Sequence, residues 1–244
     1  MFLRCFTDTH GEPYDDTYKI EPKPNDSIHF VLHYNKKLEY GTCVIWINQK
    51  ICKVVLFCTD NTKQSVIKKL KNSEYTVLSR KEFVEKVFFP YVYRARAKCI
   101  GFELPFILSR IATDDTESRR HPNGFSLTLS ERVKFPHVVI KSIDSKSQFI
   151  EFNKTFRKKI KDSITYYRGC FVDCKTLEFV LTNNSNNLES ALDNFDCPIK
   201  LNKENTVSEK GVQSSINTVL AVYSLYNQLM KRYELFCIKK LENK

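Results

Sequence analysis

The segment CIGFELPFILSRIA, residues 99–112, has an order of residues that suits metal chemistry. A short apolar stretch leads into a Glu-Leu-Pro turn and then into a segment with helical spacing, which is a usual layout for presenting a carboxylate to a metal ion. Pro105 stands at a first-turn position, where its missing N–H costs nothing. Ile107 occupies the position expected for the carboxylate. The segment is therefore either part of a metal site, the framework of one without its ligand, or an ordinary strand-turn-helix.

Other acidic residues offer alternatives for such chemistry. Asp173 lies on a predicted strand, and further acids stand at Asp60, Asp114, Asp115 and Asp144. Short acids in these contexts are typical of caps and turns. Neither G-x-x-x-x-G-K-[ST] nor G-x-G-x-x-G occurs, and the spacing indicates no Ser/His/Asp or Cys/His arrangement.

The composition is that of a globular protein with a full core. The 244 residues are 42% hydrophobic and 13% aromatic, which suits one domain or one domain with an insertion. No apolar run approaches the roughly 18 to 20 residues that cross a bilayer, and the N-terminal residues turn polar too early for a signal peptide. We expect no membrane association and an intracellular location, in the cytoplasm, or in the nucleus of a eukaryotic cell.

The cysteines and the net charge limit the possible partners. Nine cysteines are scattered without a C-x-x-C pair, so we expect reduced thiols and no structural zinc site. The formal net charge of +11 favours a polyanionic partner. The basic residues concentrate in KQSVIKKLKN, NKTFRKKIKD and MKRYELFCIKKLENK, which also have helical spacing. Lys and Arg on the solvent face of amphipathic helices therefore remain the alternative explanation.

The first half of the chain predicts antiparallel strands followed by helices. IHFVLH, TCVIWI and ICKVVLF predict three strands, the last two joined as a hairpin across residues 48–50. TDNTKQSVIKKLKN predicts a helix. SRKE, residues 79–82, fits a capping box that begins a second helix, which Pro90 would kink or end. KCIGF and FILSRIA supply the strand and helix on either side of the Pro105 turn.

The second half predicts an elaborated α/β arrangement. Residues 113–124 are expected to form a loop, FSLTLS and HVVIKSID strands, and SQFIEFNKTFRKKIK a helix. A strand, a helix, an Asn-rich break and a helix capped by Asn187 follow. A long amphipathic helix is expected from about residue 209. Strands first, then strands alternating with helices, indicate an α/β domain with a mixed sheet.

Several of these segments resemble a known family. LSRKEFVEKVFFPYVYRARAKCIGFELPFILSRIA and AVYSLYNQL are similar to segments of the exonuclease-type proteins of the ribonuclease H-like superfamily, the DEDD group that includes proofreading domains of family B polymerases. The resemblance covers residues 28–234. It implies a ribonuclease H-like fold with a mixed central sheet, antiparallel first three strands, flanking helices and a β-rich insertion at about 113–161. The domain would span 28–244, after a polar lead at 1–27.

The chemistry that the resemblance implies is missing from the matching positions. The family carries Asp-x-Glu on a first strand, Asn-x-x-Phe-Asp at a strand-turn-helix and Tyr-x-x-x-Asp on a late helix, and its four carboxylates hold two Mg²⁺ or Mn²⁺ ions. The matching positions in this chain are Val31 and His33, Glu103 and Ile107, and Ser214 and Thr218. Val and Ile offer no lone pair, Thr only a neutral hydroxyl, and His is a poor Mg²⁺ ligand. We therefore expect no bound metal or other cofactor and no catalysis.

Three functional hypotheses follow. The first is a pseudoenzyme that binds DNA or RNA through a basic surface, as a non-catalytic subunit or targeting module of a replication, repair or mobile-element complex. Its candidate contacts are Arg119, Arg120, Lys154, Arg157, Lys158, Lys161 and Arg168. Tyr166 and Tyr167 either stack on bases or pack under the following strand.

The second hypothesis is a protein-interaction scaffold that uses the filled cleft and the C-terminal helix. The third is an active metal-dependent exonuclease in which Asp173 or other acids take over.

Overall fold

A computed structural model describes residues 27–35, 40–60, 62–71, 74–119, 121–144, 146–153, 156–160, 163–201 and 208–242. The strands are β1 (Ile28–Asn35), β2 (Tyr40–Ile47), β3 (Lys50–Cys58), β4 (Thr76–Leu78), β5 (Lys98–Gly101), β6 (Asp114–Glu117), β7 (Gly124–Thr128), β8 (Val138–Ser142), β9 (Gln148–Phe152), β10 (Phe156–Ile160), β11 (Ser163–Tyr167) and β12 (Cys170–Asp173). The helices are α1 (Gln64–Lys71), α2 (Arg80–Phe83) with a π-helical continuation (Val84–Arg94), α3 (Leu104–Ile111), α4 (Cys174–Thr182), α5 (Leu188–Asn194) and α6 (Glu209–Glu242).

The main sheet has six strands in the order β12-β5-β1-β2-β3-β4. β2 is antiparallel to both β1 and β3, whereas β1 and β5, β5 and β12, and β3 and β4 pair in parallel. All of these strands except β2 therefore run in one direction, and their carboxyl ends lie at one edge, which we call the carboxyl edge. The antiparallel start and the mixed sheet confirm the predicted α/β class.

The predicted β2–β3 hairpin is confirmed, with a tight turn at Asn48 and Gln49. Both residues have positive φ, 49° and 67°, as the favoured two-residue hairpin turns require. Asn48 also exchanges two bonds with Ser27: its backbone N–H donates to the Ser27 carbonyl, and its side-chain oxygen accepts from the Ser27 N–H at 2.9 Å. The turn thus holds the start of β1 in register.

Both faces of the main sheet are covered, because alternate side chains of a strand point to opposite faces. Phe30 and Leu32 of β1 lie in one apolar cluster with the π-helix and α3. Val31 lies in a second cluster with α4, α5 and α6. Val31 is therefore buried between the sheet and the layer of helices α4, α5 and α6.

The helix that begins at α2 confirms the predicted capping box and excludes one of the two alternatives expected at Pro90, a kink or an end. The Ser79 hydroxyl accepts from the Glu82 N–H at 3.3 Å, and a Glu82 carboxylate oxygen accepts from the Ser79 N–H at 3.1 Å. Pro90 does not end this helix, which continues as a π-helix to Arg94. The Ala95 N–H bonds to the Pro90 carbonyl five residues earlier, so the wider π-type turn is retained beyond the proline.

Helix α6 confirms the long amphipathic helix expected from about residue 209. It has 34 residues and is about 51 Å long at 1.5 Å per residue. Most of its apolar residues from Val212 to Leu229 are buried, and the half-buried Tyr223 stacks on Trp46 of β2 with ring centroids 4.2 Å apart. Residues 231–235 are exposed, so the helix extends past the surface against which it packs.

The second sheet shows two errors in the sequence interpretation. Residues 114–117, expected in a loop, form edge strand β6 of a four-stranded sheet β6-β7-β8-β9. The segment 147–161 is expected to be helical, but its residues 148–152 form β9 and its residues 156–160 form β10. Its apolar residues fit a helical stripe, but Ile150 pairs with Ile140 of β8, and cross-strand pairing of β-branched and aromatic residues overrides the helical spacing.

The described cysteines are reduced, and several of them are buried. Eight cysteines lie in the described part of the chain, and all are free thiols; Cys43, Cys99 and Cys174 are buried. Burial raises the pKa of these three thiols well above the ordinary value, so they behave as small apolar residues.

Among the described residues, none of the helices combines the length and the apolar character needed to span a bilayer.

Candidate functional site

The carboxyl edge is where the structure places His33, Glu103, Ile107 and Asp173. β1, β5 and β12 are neighbours and parallel, and ligands of open α/β sheets bind outside the carboxyl ends of such strands. β1 ends beyond His33, β5 ends before Glu103 and β12 ends at Asp173. Three segments that are far apart in the sequence thus meet at one edge.

Val31 and His33, to which the resemblance assigns the first motif, lie on β1. Val31 is fully buried, pairs with Val44 and Ile100 on the neighbouring strands, and packs in the cluster that contains Val219 of α6. Burial lowers the pKa of His33 to about 4, so this imidazole is neutral at pH 7. Neither residue offers an anionic oxygen.

Glu103 and Ile107, to which the resemblance assigns the second motif, lie at the start of α3. Glu103 adopts the left-handed conformation at the N-cap of α3, with φ 60°, and its carboxylate accepts from the Lys175 ammonium at 2.8 Å. Ile107, one turn into α3, is 2% exposed. A Cβ atom at Gly101 would lie only 3.2 Å from Ile107 Cδ1, so the strand and the helix are in close contact. The turn predicted from Pro105 is confirmed, and a buried apolar side chain stands at the position where the resemblance implies a metal ligand.

Ser214 and Thr218, to which the resemblance assigns the third motif, lie on α6. Ser214 is buried, and the Thr218 hydroxyl donates to the Ser214 carbonyl at 3.0 Å, one helical turn earlier. Between them, the Ser215 hydroxyl lies 2.7 Å from the Thr42 hydroxyl of β2, in a fully buried pair. This face of α6 therefore contacts the sheet through neutral hydroxyl groups.

His33, Glu103 and Ile107 line one cavity of about 290 Å³, together with Lys175 and residues 185–188. Val31, Ser214 and Thr218 are not in its lining. A second cavity, of about 280 Å³, shares Glu103 and Lys175 with it, and a third, of about 410 Å³, shares Pro105 and Gln148 with the second. We call the three together the carboxyl-edge groove. The structure thus joins half of the motif positions at one cavity.

The carboxyl-edge groove carries no excess of positive charge. Its lining contains four acids, Glu103, Asp114, Asp115 and Asp173, and two lysines, Lys146 and Lys175. The Lys175 ammonium is already paired with Glu103. A polyanion would gain little from this lining.

Asp173, the acid considered as a substitute metal ligand, forms a double helix cap. Its carboxylate accepts from the Thr176 N–H at 3.1 Å and the Thr176 hydroxyl at 2.8 Å, as the N-cap of α4. It also accepts from the Leu104 N–H at 2.9 Å and from the Glu103 backbone, at the start of α3. Burial raises the pKa of this carboxyl despite these bonds. The Asp173 carboxylate therefore caps the N-termini of both α3 and α4.

The remaining acids are also engaged or dispersed. Asp60 pairs with the Arg80 guanidinium at 2.5 Å, and Asp144 accepts from the Ser147 N–H at 2.7 Å in a turn. Asp114 and Asp115 are exposed on edge strand β6. Throughout the part of the chain that the structure describes, no three His, Cys, Asp or Glu residues are grouped so that they could hold a metal ion.

Arg119 and Arg168, two of the predicted basic contacts, are not among the lining residues of the groove. Arg119 is exposed in the turn after β6, and two residues later the His121 imidazole lies 3.0 Å from the Glu151 carboxylate. The other Glu151 oxygen pairs with the Arg168 guanidinium at 3.4 Å. The turn that carries Arg119 and the side chain of Arg168 therefore meet at one buried acid.

The remaining predicted contacts are Arg120, Lys154, Arg157, Lys158 and Lys161. Arg157 and Lys158 lie on β10, while Arg120, Lys154 and Lys161 lie outside the described residues.

One buried carboxyl near the groove was missed in the sequence. Glu178 of α4 is fully buried, and one of its oxygens accepts from the Asn186 side-chain amide at 2.6 Å. The bond holds the loop after α4, whose residue Asn186 also lines the groove. A signal existed: Glu178 stands four residues after Cys174 and three before Leu181, on the apolar stripe of α4.

The comparisons with known proteins add no family assignment. No protein-family model matches the chain, and neither curated proteins nor solved structures show a significant match to it.

Proposed function

We propose that this chain is a catalytically inactive protein of the ribonuclease H-like exonuclease type that binds nucleic acid through a basic surface. It would act as a non-catalytic subunit or targeting module of a nucleic-acid-processing complex. The proposal combines the sequence resemblance with three features of the structure, in its fold, at the motif positions and in the distribution of charge.

The topology supports a ribonuclease H-like fold. The first three strands are antiparallel, as the resemblance implies, and the later strands β5 and β12 add in parallel on the far side of β1. Helices cover both faces, and the second sheet falls within residues 113–161, where the resemblance implies a β-rich insertion. The three motif positions lie on β1, at the start of α3 and on α6, in the corresponding elements.

The observation that carries the loss of catalysis is the packing at Ile107. Two-metal hydrolysis needs anionic oxygens that hold ions about 3.5–4 Å apart. Ile107 and Val31 are at most 2% exposed and lie in the apolar clusters on the two faces of the sheet. The ligand positions are thus filled with apolar groups that stabilise the fold.

The charge distribution supports binding to a polyanion outside the groove. The chain has a formal net charge of +11, whereas the groove lining has more acids than lysines. The turn with Arg119 and the Arg168 side chain adjoin Glu151, where the chain enters and leaves the basic β10–β11 segment. Each phosphate neutralised by such residues releases counterions, which favours binding.

The test is to incubate the purified chain with labelled single- and double-stranded DNA and RNA, with and without Mn²⁺, at two salt concentrations. We expect binding that weakens steeply with salt and no cleavage under any condition. Metal-dependent cleavage that disappears in the Asp173→Asn variant would show an active nuclease instead. Absence of salt-dependent binding would refute the nucleic-acid proposal.

The alternative function, a protein-interaction scaffold, is favoured by the end of α6. Tyr233 and Leu235 are 42% and 60% exposed, on a helix that continues past its contacts with the sheet. Exposed apolar side chains on an extended helix are suited to a partner groove. A partner bound there would be captured at high salt, and Leu235→Glu would weaken its capture, whereas Glu234→Gln next to it would not.

A further inference from the structure

We propose that β10 and β11 form a basic two-stranded ribbon that enters the major groove of double-helical DNA. This inference rests on the proposed function and makes it specific, since it names the element that binds and the form of nucleic acid that it binds. The sequence predicts a helix that includes residues 156–160, whereas the structure has strand β10 there, paired with β11.

The ribbon belongs to neither of the two larger sheets. β10 and β11 pair antiparallel from Phe156 opposite Tyr167 to Ile160 opposite Ser163, and they form a sheet of their own among the described strands. Its base is fixed to the body of the protein. The Phe152 N–H bonds to the Arg168 carbonyl at 2.7 Å, and the Arg168 guanidinium pairs with the Glu151 carboxylate.

The dimensions of the ribbon suit the major groove of B-form DNA. Each strand has five residues, so the ribbon is about 17 Å long at about 3.3 Å per residue. Its two backbones lie about 5 Å apart. The major groove is about 12 Å wide and about 8.5 Å deep, and it admits a two-stranded β-ribbon.

The ribbon segment holds much of the positive charge of the chain. Residues 154–168 contain six basic residues, Lys154, Arg157, Lys158, Lys159, Lys161 and Arg168. The one acid among them is Asp162, so the formal charge of these 15 residues is 6 − 1 = +5, out of +11 for the whole chain. A polyanion is therefore attracted to the ribbon rather than to the carboxyl-edge groove.

The expected partner is B-form DNA rather than RNA or a single strand. The major groove of an A-form RNA helix is too deep and narrow for protein side chains to read. A single strand has no groove, and its binding sites combine a basic channel with bases stacked on aromatic residues. Groove entry therefore predicts the order duplex DNA above single-stranded DNA and duplex RNA.

Two matched variants test the role of the ribbon charges. The ribbon variant carries Arg157→Gln, Lys158→Gln and Lys159→Gln. The control variant carries Lys63→Gln, Lys68→Gln and Lys69→Gln, which removes the same charge from exposed positions at and before α1. Thermal unfolding of both variants shows whether each is folded, and fluorescence anisotropy then gives the affinity for a DNA duplex, its single strand and an RNA duplex over a range of salt.

We expect the ribbon variant to bind duplex DNA about tenfold or more weakly than the wild type, and its salt slope to fall by about 0.9 for each phosphate that is no longer neutralised. The control variant should retain both. Equal weakening in the two variants, or equal affinity of the wild type for duplex and single strand, would overturn the ribbon proposal while leaving nucleic-acid binding intact. If the wild type shows no salt-dependent binding to any of the three, the proposed function itself fails.

A second measurement on the wild type does not depend on the variants. The guanine N7 atom is exposed in the major groove, and a protein element in that groove protects it from methylation by dimethyl sulfate. We expect N7 protection over one stretch of the duplex when the protein is bound. Binding without N7 protection would show contact with the phosphates alone and would overturn groove entry.

Discussion

Replacing Ile107 by aspartate would restore the residue type that the family resemblance places there, and we expect it to destabilise the protein without creating a metal site. Ile107 is 2% exposed and lies close to Gly101 of β5. Ile107→Val keeps the apolar character and should cost about 1 kcal/mol of the free energy of unfolding. Ile107→Asn has nearly the same shape as the aspartate and carries no charge, so it separates the effect of charge from that of volume.

The expected magnitudes follow from burial. Removing the buried isoleucine side chain costs about 2 kcal/mol or more, and an unsatisfied buried amide adds about 1–3 kcal/mol, so the asparagine variant should be less stable by about 4 kcal/mol. The ionised aspartate should be less stable by several kcal/mol more, because its buried charge has no partner. The introduced carboxyl would have a raised pKa, so this extra destabilisation should shrink as the pH falls towards the pKa of the unfolded chain, about 3.9.

Urea unfolding followed by the fluorescence of Trp46 measures these differences, since this single tryptophan is 3% exposed in the folded protein. The comparison is made at pH 7 and at lower pH, and with and without millimolar Mn²⁺. An aspartate variant as stable as Ile107→Val would refute the closed packing at this position. Stabilisation of the aspartate variant by Mn²⁺ by more than about 1 kcal/mol, on the linkage scale, would show that other ligands are present after all.

Three further predictions concern pH and helix caps. Burial lowers the pKa of His33 to about 4 from 6.5, so the unfolded chain takes up a proton at this residue more readily than the folded protein does. The stability that depends on the neutral imidazole is complete above pH 6.5 and is lost as the pH falls from 6.5 to about 4. His33→Asn should therefore reduce the decrease in unfolding free energy between pH 7 and about 4.5 by about 2 kcal/mol; an unchanged decrease would contradict the buried, neutral imidazole. Asp173→Ala removes acceptors from two helix N-termini and should cost about 2–3 kcal/mol in urea unfolding, while Asp173→Asn, which keeps one oxygen, should cost clearly less. Ser79→Ala removes one half of the capping box and should cost about 1 kcal/mol in the same assay, and a neutral effect would show that the box contributes nothing.

Much of the fold could be predicted from short-range patterns. β2 and β3 alternate or run apolar on either side of a polar turn, and the capping box at Ser79 has an unambiguous spacing. Such elements carry their own signal, because local periodicity and local caps are enough to define them. The helix after Ser79 passes Pro90 because its hydrogen bonds are of the π type, and that feature has no sequence signature.

The wrong secondary-structure predictions occur in segments whose conformation depends on pairing with strands that are distant in the sequence. Strand β6 is an exposed acidic edge strand, and its sequence DDTE has neither an apolar alternation nor β-branched residues beyond Thr116. In 148–160 the same phenylalanines and isoleucines fit both a helical and a strand period, and the presence of β8 as a partner decides between them. Pairing partners of this kind cannot be inferred from one sequence.

The local features of the candidate site could be predicted from the sequence, whereas its long-range contacts could not. The Pro105 turn and the apolar Ile107 could be identified locally, because both belong to one strand-turn-helix. The pairing of Glu103 with Lys175, 72 residues away, depends on β5 and β12 being neighbours in the sheet. The buried Glu178 could have been noticed from its position on an apolar stripe, although its partner Asn186 could not.

The bond from the Leu104 N–H to Asp173 has a consequence for the motions of the carboxyl edge. An amide in the first turn of a helix has no partner within that helix and ordinarily exchanges its hydrogen with solvent readily. Here the acceptor belongs to the cap of another helix, 69 residues along the chain. Exchange of this one amide therefore requires α3 and α4 to separate, so its protection reports the free energy of opening the edge as a unit.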